Sequence, residues 1–410
     1  MSGFFMKFED YHISKAIKQN LTAKGFKRPT DIQFKSIKHI LDGEDVMAIA
    51  QTGTGKTAAF AIPIIDLIAR NKYRNGISAL VMVPTRELAK QIGEVFSDLA
   101  KGTTVKTFAL YGGVDQDKQK KALEKGIDVL ITTPGRMFDL ISQGSIDVSD
   151  VKHLILDEAD LMLDLGFSKD IEDILRKIPK KRQTLFFSAT ISKKIKKMAY
   201  DVVRNAIRIQ ISPKNPVSKN VAHAVAFIEM DDKRFFLENL VKEYPEMKVL
   251  VFVRTKVRAE RVKEAMKRVG IDSLLMHGGI EQDERFDVIE AFKNGDVRLM
   301  ITTDVACRGI DIPGVEYVVN YDLPENPENY VHRCGRTGRG TNKGQAISFC
   351  SPHEKEVLES IEAYTGTDIE RYELSKEDYE AIRFDSDERG EDWQSLLDDD
   401  NRHFGTEEEW

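Results

Sequence analysis

The chain has 410 residues, of which 41% are hydrophobic and 31% charged, with a formal net charge of −6. This length predicts two or three domains, and the composition excludes a disordered or fibrous chain. No apolar run approaches the roughly 20 residues of a membrane span, and Lys7, Glu9 and Asp10 interrupt any leader-like segment, so a soluble, cytoplasmic protein with no membrane partner is expected.

Strand-like runs alternate with helical patterns along the whole chain. In the first half they fall at 46–50, 79–84, 129–133, 153–156 and 184–187; in the second, at 249–253, 273–276, 297–302, 316–320 and 345–349. Such alternation predicts an α/β fold of mostly parallel sheets covered by helices. Residues 211–218, with two prolines and no periodicity, read as a linker. The expected organisation is therefore a domain over 1–210, a linker over 211–218, a second domain over 219–366 and a tail over 367–410.

The first strand-like run, 46–50, leads into Gln51-Thr52-Gly53-Thr54-Gly55-Lys56-Thr57 and then a helical pattern. Strand, glycine-rich loop and helix form the phosphate-binding context. Gly53 and Gly55 let the backbone approach an anion, and the helix N-terminus favours it. Thr52 and Thr54 belong to the same cradle, Lys56 would reach the β- and γ-phosphates of ATP, and Thr57 would hold Mg²⁺. Ala50 stands where this signature usually opens with glycine.

The run Leu154-Ile155-Leu156 stops at Asp157-Glu158-Ala159-Asp160. Mg²⁺ takes few protein ligands, so Asp157 with Thr57 would suffice. Glu158 is then available as general base for an attacking water. Ser188-Ala189-Thr190 ends a further strand, where a helix N-cap is the plain structural alternative. Far along the chain, His332 to Arg339 set three arginines among glycines. A guanidinium fork matches the charge of a transferring phosphoryl group, which points to Arg336 and Arg339; a basic surface loop is the alternative.

The net charge is unevenly placed. Residues 385–410 hold eleven acids and two arginines, a net of −9, which leaves +3 for residues 1–384. Trp393, Trp410, Phe404, Leu396 and Leu397 lie among those acids. The tail is either a disordered, solubilising segment or a docking segment for a protein partner or for the chain's own basic surface. Cys307, Cys334 and Cys350 lack metal-like spacing, consistent with a reducing compartment.

These motifs, in this order, resemble the DEAD-box RNA helicases of helicase superfamily 2. The matching segments are Gly25-Phe26 with Gln33, residues 50–57, 84–89, Gly112-Gly113, 133–136, 157–160, 188–190, 253–255, Gln282 with Arg285, 303–311 and 332–339. The likeness covers roughly residues 4–365 and is strongest to compact bacterial members of the RhlE type. It implies two RecA-like domains, ATP and Mg²⁺ as cofactors, and RNA-stimulated ATP hydrolysis that opens short duplexes or remodels ribonucleoproteins. An ATP-dependent RNA clamp carries the same motifs.

The resemblance assigns further roles. Gln33 pairs with adenine, whose N6 and N7 suit an amide where guanine does not, Phe26 stacks on the base with Phe8 behind it, and Asp311 holds the ribose. Asp160, Ser188, Thr190 and His332 couple nucleotide to RNA. RNA contacts are expected from Pro84, Thr85, Arg86, Gly112, Gly113, Thr133, Pro134, Gly135 and Arg136 in the first domain. Arg254, Thr255, Gln282, Arg285, Thr303 and Arg308 supply them in the second. No aromatic platform is evident among these residues, so backbone contacts with little sequence preference are expected. The chain departs from many bacterial relatives in having an acidic tail rather than a basic extension.

Overall fold

A computed structural model describes residues 6–51, 53–71, 76–211, 217, 220–308, 310, 312–338 and 343–387. The chain divides into two compact units, with the boundary between their main bodies at Pro216 and Val217.

The first opens with α1 (Lys15–Ala23) and α2 (Asp31–Leu41). There follow β1 (Val46–Ala50), α3 (Lys56–Arg70), β2 (Ala79–Met82), α4 (Arg86–Ala100), β3 (Thr107–Leu110) and α5 (Gln116–Leu123). Next come β4 (Val129–Thr132), α6 (Pro134–Ser142), β5 (His153–Leu156), α7 (Ala159–Asp164), α8 (Ser168–Lys177), β6 (Gln183–Ser188), α9 (Lys193–Val202) and β7 (Ile207–Ile211). The strands form one parallel sheet in the order β3-β4-β2-β5-β6-β1-β7.

Period-2 alternation sends the side chains of each buried strand to opposite faces. Val46, Ala48 and Ala50 of β1 join a core with Ile37, Phe60 and Phe96, whereas Met47 and Ile49 join Met137, Met162 and Phe186 on the other face. Burial on both faces explains why the central strands read as unbroken apolar runs.

The second sheet comprises β8 (Val221–Phe227), β9 (Val249–Val253), β10 (Leu274–Met276), β11 (Leu299–Thr303), β12 (Tyr317–Asn320), β13 (Gly344–Cys350) and β14 (Glu370–Tyr372), again all parallel. Their order is β10-β11-β9-β12-β13-β8-β14. The helices are α10 (Lys233–Glu243), α11 (Lys256–Arg268), α12 (Gln282–Asn294), α13 (Asp304–Cys307), α14 (Pro327–Cys334), α15 (Lys355–Thr365) and α16 (Lys376–Asp387).

Three expectations need correction. Ile211, assigned to the linker, closes β7 instead; of the rest of 211–218, only Val217 lies within the described residues. Strands β3, β7, β8 and β14 add to those that the apolar runs predict. Residues 370–372 and 376–387, assigned to the tail, form β14 and α16. The reason is Tyr379: its ring packs 4.9 Å from that of Phe236 and its hydroxyl donates to Asp232 at 2.8 Å, tying α16 to α10. Residues 388–410 lie outside the described residues.

Candidate active site and RNA-contact residues

In a parallel sheet, ligands gather beyond the carboxyl ends of the strands. The motif residues of the first unit follow the ends of β1, β2, β4, β5 and β6. Gly55 caps α3 with φ 89° and ψ 27°, in the left-handed region. Its carbonyl accepts from Gln33 Nε2 at 3.1 Å, and Gln33 Oε1 accepts from Thr30 N at 3.0 Å. Gln33 is buried and bridges the start of α2 to the phosphate loop. Thr30 was not singled out in the sequence, although its spacing from Gln33 is that of a capping box. Phe26, 38% exposed, has the buried Phe8 edge-on at 6.3 Å. Thr54 Oγ1 donates to Gln51 O at 2.7 Å, and Thr57 is half-buried on the first turn of α3.

Lys56 and Glu158 are both buried and form an ion pair at 2.8 Å. Burial works against the Lys56 ammonium, but Glu158, Asp157 and Asp160 more than offset it and raise its pKa. Burial is also the largest influence on Asp157, pushing its carboxyl up to about 7 against the pull of Lys56. Three carboxylates thus surround one ammonium, an excess of negative charge that a divalent cation would cancel. One carboxylate and one hydroxyl, from Asp157 and Thr57, fit Mg²⁺, which retains several waters. Glu158 itself has φ 50° and ψ 50°. For a residue with a Cβ this costs about 1–2 kcal/mol, a strain that turns its side chain out of the strand direction.

Asp160 joins two motifs. Its Oδ2 accepts from Ala189 N at 3.1 Å and Thr190 N at 3.0 Å. Ser188 is therefore the last residue of β6, and the backbone after it is held from α7 rather than by a helix cap.

Among the expected RNA-contact residues, Thr85 caps α4, accepting from Leu88 N at 3.3 Å. Pro84 lies just before it. A Cβ on Gly112 would come 3.4 Å from the Arg86 guanidinium, and Gly113 has φ 81°. Thr133 caps α6, with Pro134 and Gly135 on its first turn, so free N–H groups there suit phosphate. Arg136 donates to Gln119 Oε1 at 2.7 Å and Val114 O at 3.2 Å; Gln119 is a positioning partner that the sequence did not reveal.

In the second unit, Arg254 follows β9 and Thr255 caps α11, accepting from Arg258 N at 3.2 Å. Thr303 of the same unit ends β11; elsewhere along the chain, Gln282 and Arg285 sit on the first turn of α12 and Arg308 follows α13. His332 is on α14, and its carbonyl accepts from Arg336 Nε at 3.2 Å. Arg333 and Arg336, the two described arginines of that motif, do not behave alike. Arg333 is turned inward, pairing twice with Asp304 at 2.6 and 2.7 Å and donating to Asp322 O at 2.7 Å. It is structural, while Arg336 is a separate buried guanidinium. Thr52, Asp311 and Arg339 lie outside the described residues. The cysteines are buried and unpaired by disulfide, and burial pushes the Cys334 thiol up to about 12 and that of Cys350 to about 11.

The DEAD/DEAH box helicase family matches residues 30–198, and the helicase conserved C-terminal domain matches residues 232–341. The chain belongs to the DEAD-box family of ATP-dependent RNA helicases. The chain is 38% identical to ATP-dependent RNA helicase DbpA of Bacillus subtilis, over 90% of this chain and 77% of that one. It is 40% identical to the DEAD-box helicase RhpA of Helicobacter pylori, over 90% and 74%. A structure of S. cerevisiae Dbp5 bound to RNA and ADP BeF3 is similar with a TM-score of 0.83 at 30% identity, covering 93% of this helicase and 99% of that chain. Mss116p bound to ssRNA and AMP-PNP is similar at 0.81 and 28% identity, covering 93% and 80%. No helix among the described residues of this DEAD-box protein is long and apolar enough to cross a membrane.

Proposed function

We propose that this DEAD-box helicase hydrolyses ATP when RNA is bound and uses the cycle to open short duplexes or remodel ribonucleoproteins. The observation that carries this reading is the buried Lys56–Glu158 pair, 2.8 Å apart, beside Asp157 and next to an Asp160 that grips residues 189 and 190. Gln33 and Phe26 read adenine, with Asp311 on the ribose. Backbone N–H groups of residues 52–55 hold the phosphates. Lys56 leaves Glu158 for the β- and γ-phosphates, and Glu158 then accepts a proton from the attacking water. Thr57 and Asp157 would hold Mg²⁺, which when bound would supply charge neutralisation on the phosphates. Arg336 and Arg339 stabilise the charge of the transferring group, a contribution worth about 10³–10⁵ in rate.

Asp160, Ser188, Thr190 and His332 report nucleotide state to the RNA contacts. RNA is gripped by its backbone through Thr85, Arg86, Arg136, Arg254, Thr255 and the companion residues named above. Such contacts position without specifying sequence. The acidic tail is a docking segment for a protein partner, and the protein works in the cytoplasm.

Steady-state ATPase rates with no nucleic acid, with single-stranded RNA and with matched DNA test this. Stimulation by RNA alone is expected. Equal stimulation by DNA overturns the RNA reading, and RNA-stimulated turnover without duplex separation favours an ATP-dependent clamp.

A further inference from the structure

We propose that Glu354, anchored by the buried Lys233, is a positioning residue that fixes Arg254 for contact with the RNA backbone. This rests on the reading of Arg254 as an RNA contact. The Arg254 side chain is 41% exposed, yet its guanidinium donates to Glu354 Oε1 at 3.2 Å and Leu323 O at 3.4 Å. Its backbone N–H donates to Asp322 Oδ2 at 3.0 Å. Both the root and the head of the side chain are therefore held.

Glu354 is itself held on every side. Oε1 also accepts from Leu323 N at 3.1 Å, while Oε2 accepts from Lys233 Nζ at 2.5 Å, Ser351 N at 3.0 Å and Ser351 Oγ at 2.9 Å. Lys233 is fully buried and Glu354 nearly so. Lys233 donates in addition to Tyr321 O at 2.8 Å, and Arg258 Nε pairs with Asp322 at 2.8 Å. Lys233, Arg254 and Arg258 face Asp322, Glu354 and Glu325, the last lying 3.8 Å from Arg254 Nε, so the cluster is balanced in charge. Arg254 is the most exposed of the three cations, so its guanidinium reaches solvent on a side chain whose direction is fixed. An unanchored arginine gives up rotamer freedom when it meets a phosphate; an arginine already seated on a rigid carboxylate does not. Burial of Lys233 and Glu354 without the exposed partner would need no such arrangement.

The test uses the full chain, a labelled single-stranded oligouridine and a non-hydrolysable ATP analogue, with affinity measured across KCl concentrations. Arg254→Ala should weaken binding about tenfold and lower the salt slope by about one. Glu354→Met alone strands the buried Lys233, so the informative variant is Lys233→Met/Glu354→Met. Replacing a buried ion pair by apolar residues of similar volume is often neutral for stability. Here Leu323 N, Ser351 N and Tyr321 O also lose their partners, so the double variant should melt below wild type, yet keep its ATP affinity and match the RNA defect and salt slope of Arg254→Ala. Adding Arg254→Ala to it should produce no further loss. Wild-type RNA binding by the double variant beside a defective Arg254→Ala overturns the positioning role, as does full additivity. An Arg254→Ala protein with unchanged RNA affinity overturns the reading of Arg254 itself, and this proposal with it.

Discussion

Replacing Gly55 by alanine places a Cβ 2.4 Å from Gln33 Nε2 and 3.3 Å from Thr30 Oγ1, at a residue whose φ is +89°. Two penalties follow. The left-handed backbone costs a residue with a Cβ about 1–2 kcal/mol. Gln33 must also leave its place, giving up the bonds to Gly55 O and Thr30 N, each worth about 1 kcal/mol net. The total of about 3–4 kcal/mol corresponds to two or three powers of ten in affinity. The hydrophobic cores on both faces of the sheet do not involve Gly55, so the cost falls on the phosphate loop and its link to Gln33. Fluorescent-nucleotide titration should show ATP binding weakened by roughly 100-fold or more, and discrimination between ATP and GTP reduced as well, with circular dichroism unchanged. An alanine variant that binds ATP with wild-type affinity and selectivity refutes the reasoning.

Glu158→Gln should retain ATP and RNA binding while turnover falls by about 10²–10⁴, the usual worth of a general base; loss of ATP binding in equilibrium titration would assign Glu158 a different role. Asp157 offers a pH test. Its carboxyl is pushed up to about 7 by burial, so below that pH it carries a proton that must leave before a cation is held. Half-saturating Mg²⁺ for ATPase should therefore rise roughly tenfold per unit as pH falls below about 7, with excess Mg²⁺ restoring the rate. A half-saturation that stays flat between about pH 8 and pH 6 removes Asp157 from the metal site. Cys307, Cys334 and Cys350 are buried, and burial raises the thiols of Cys334 and Cys350. Maleimide should label the native protein slowly and leave ATPase intact, whereas fast labelling at any of the three would contradict their burial.

The sequence was most informative where one strand end carries one chemical motif. The runs at 46–50 and 153–156 are apolar on both faces, and both were placed to the residue. Strands β7 and β14 escaped because edge positions leave them partly solvated, as in the alternating exposure of Ile207–Ile211 and the fully exposed Glu370–Tyr372. The acids of residues 376–387 read as tail, since nothing local signals that Tyr379 reaches Asp232, 147 residues away. Arg333 and Arg336 look alike in a glycine-rich run; only the bidentate pair with Asp304 sorts the inward arginine from its neighbour. The Lys233–Glu354 pair, 121 residues apart, has no sequence signature at all.

The position of β1 bears on how the protein is made. Its two neighbours are β6 and β7, at residues 183–188 and 207–211. About 160 residues must therefore be added after the phosphate loop leaves the ribosome before its strand is flanked on both sides. At about 5–20 residues per second this takes on the order of 10–30 s. Until β6 emerges Val46–Ala50, wholly apolar, has both edges open, and until β7 follows it still has one. A nascent chain of this kind cannot bind nucleotide early, so ATP cannot nucleate its folding, and the apolar strand that carries the phosphate loop waits while β2 to β5 are made.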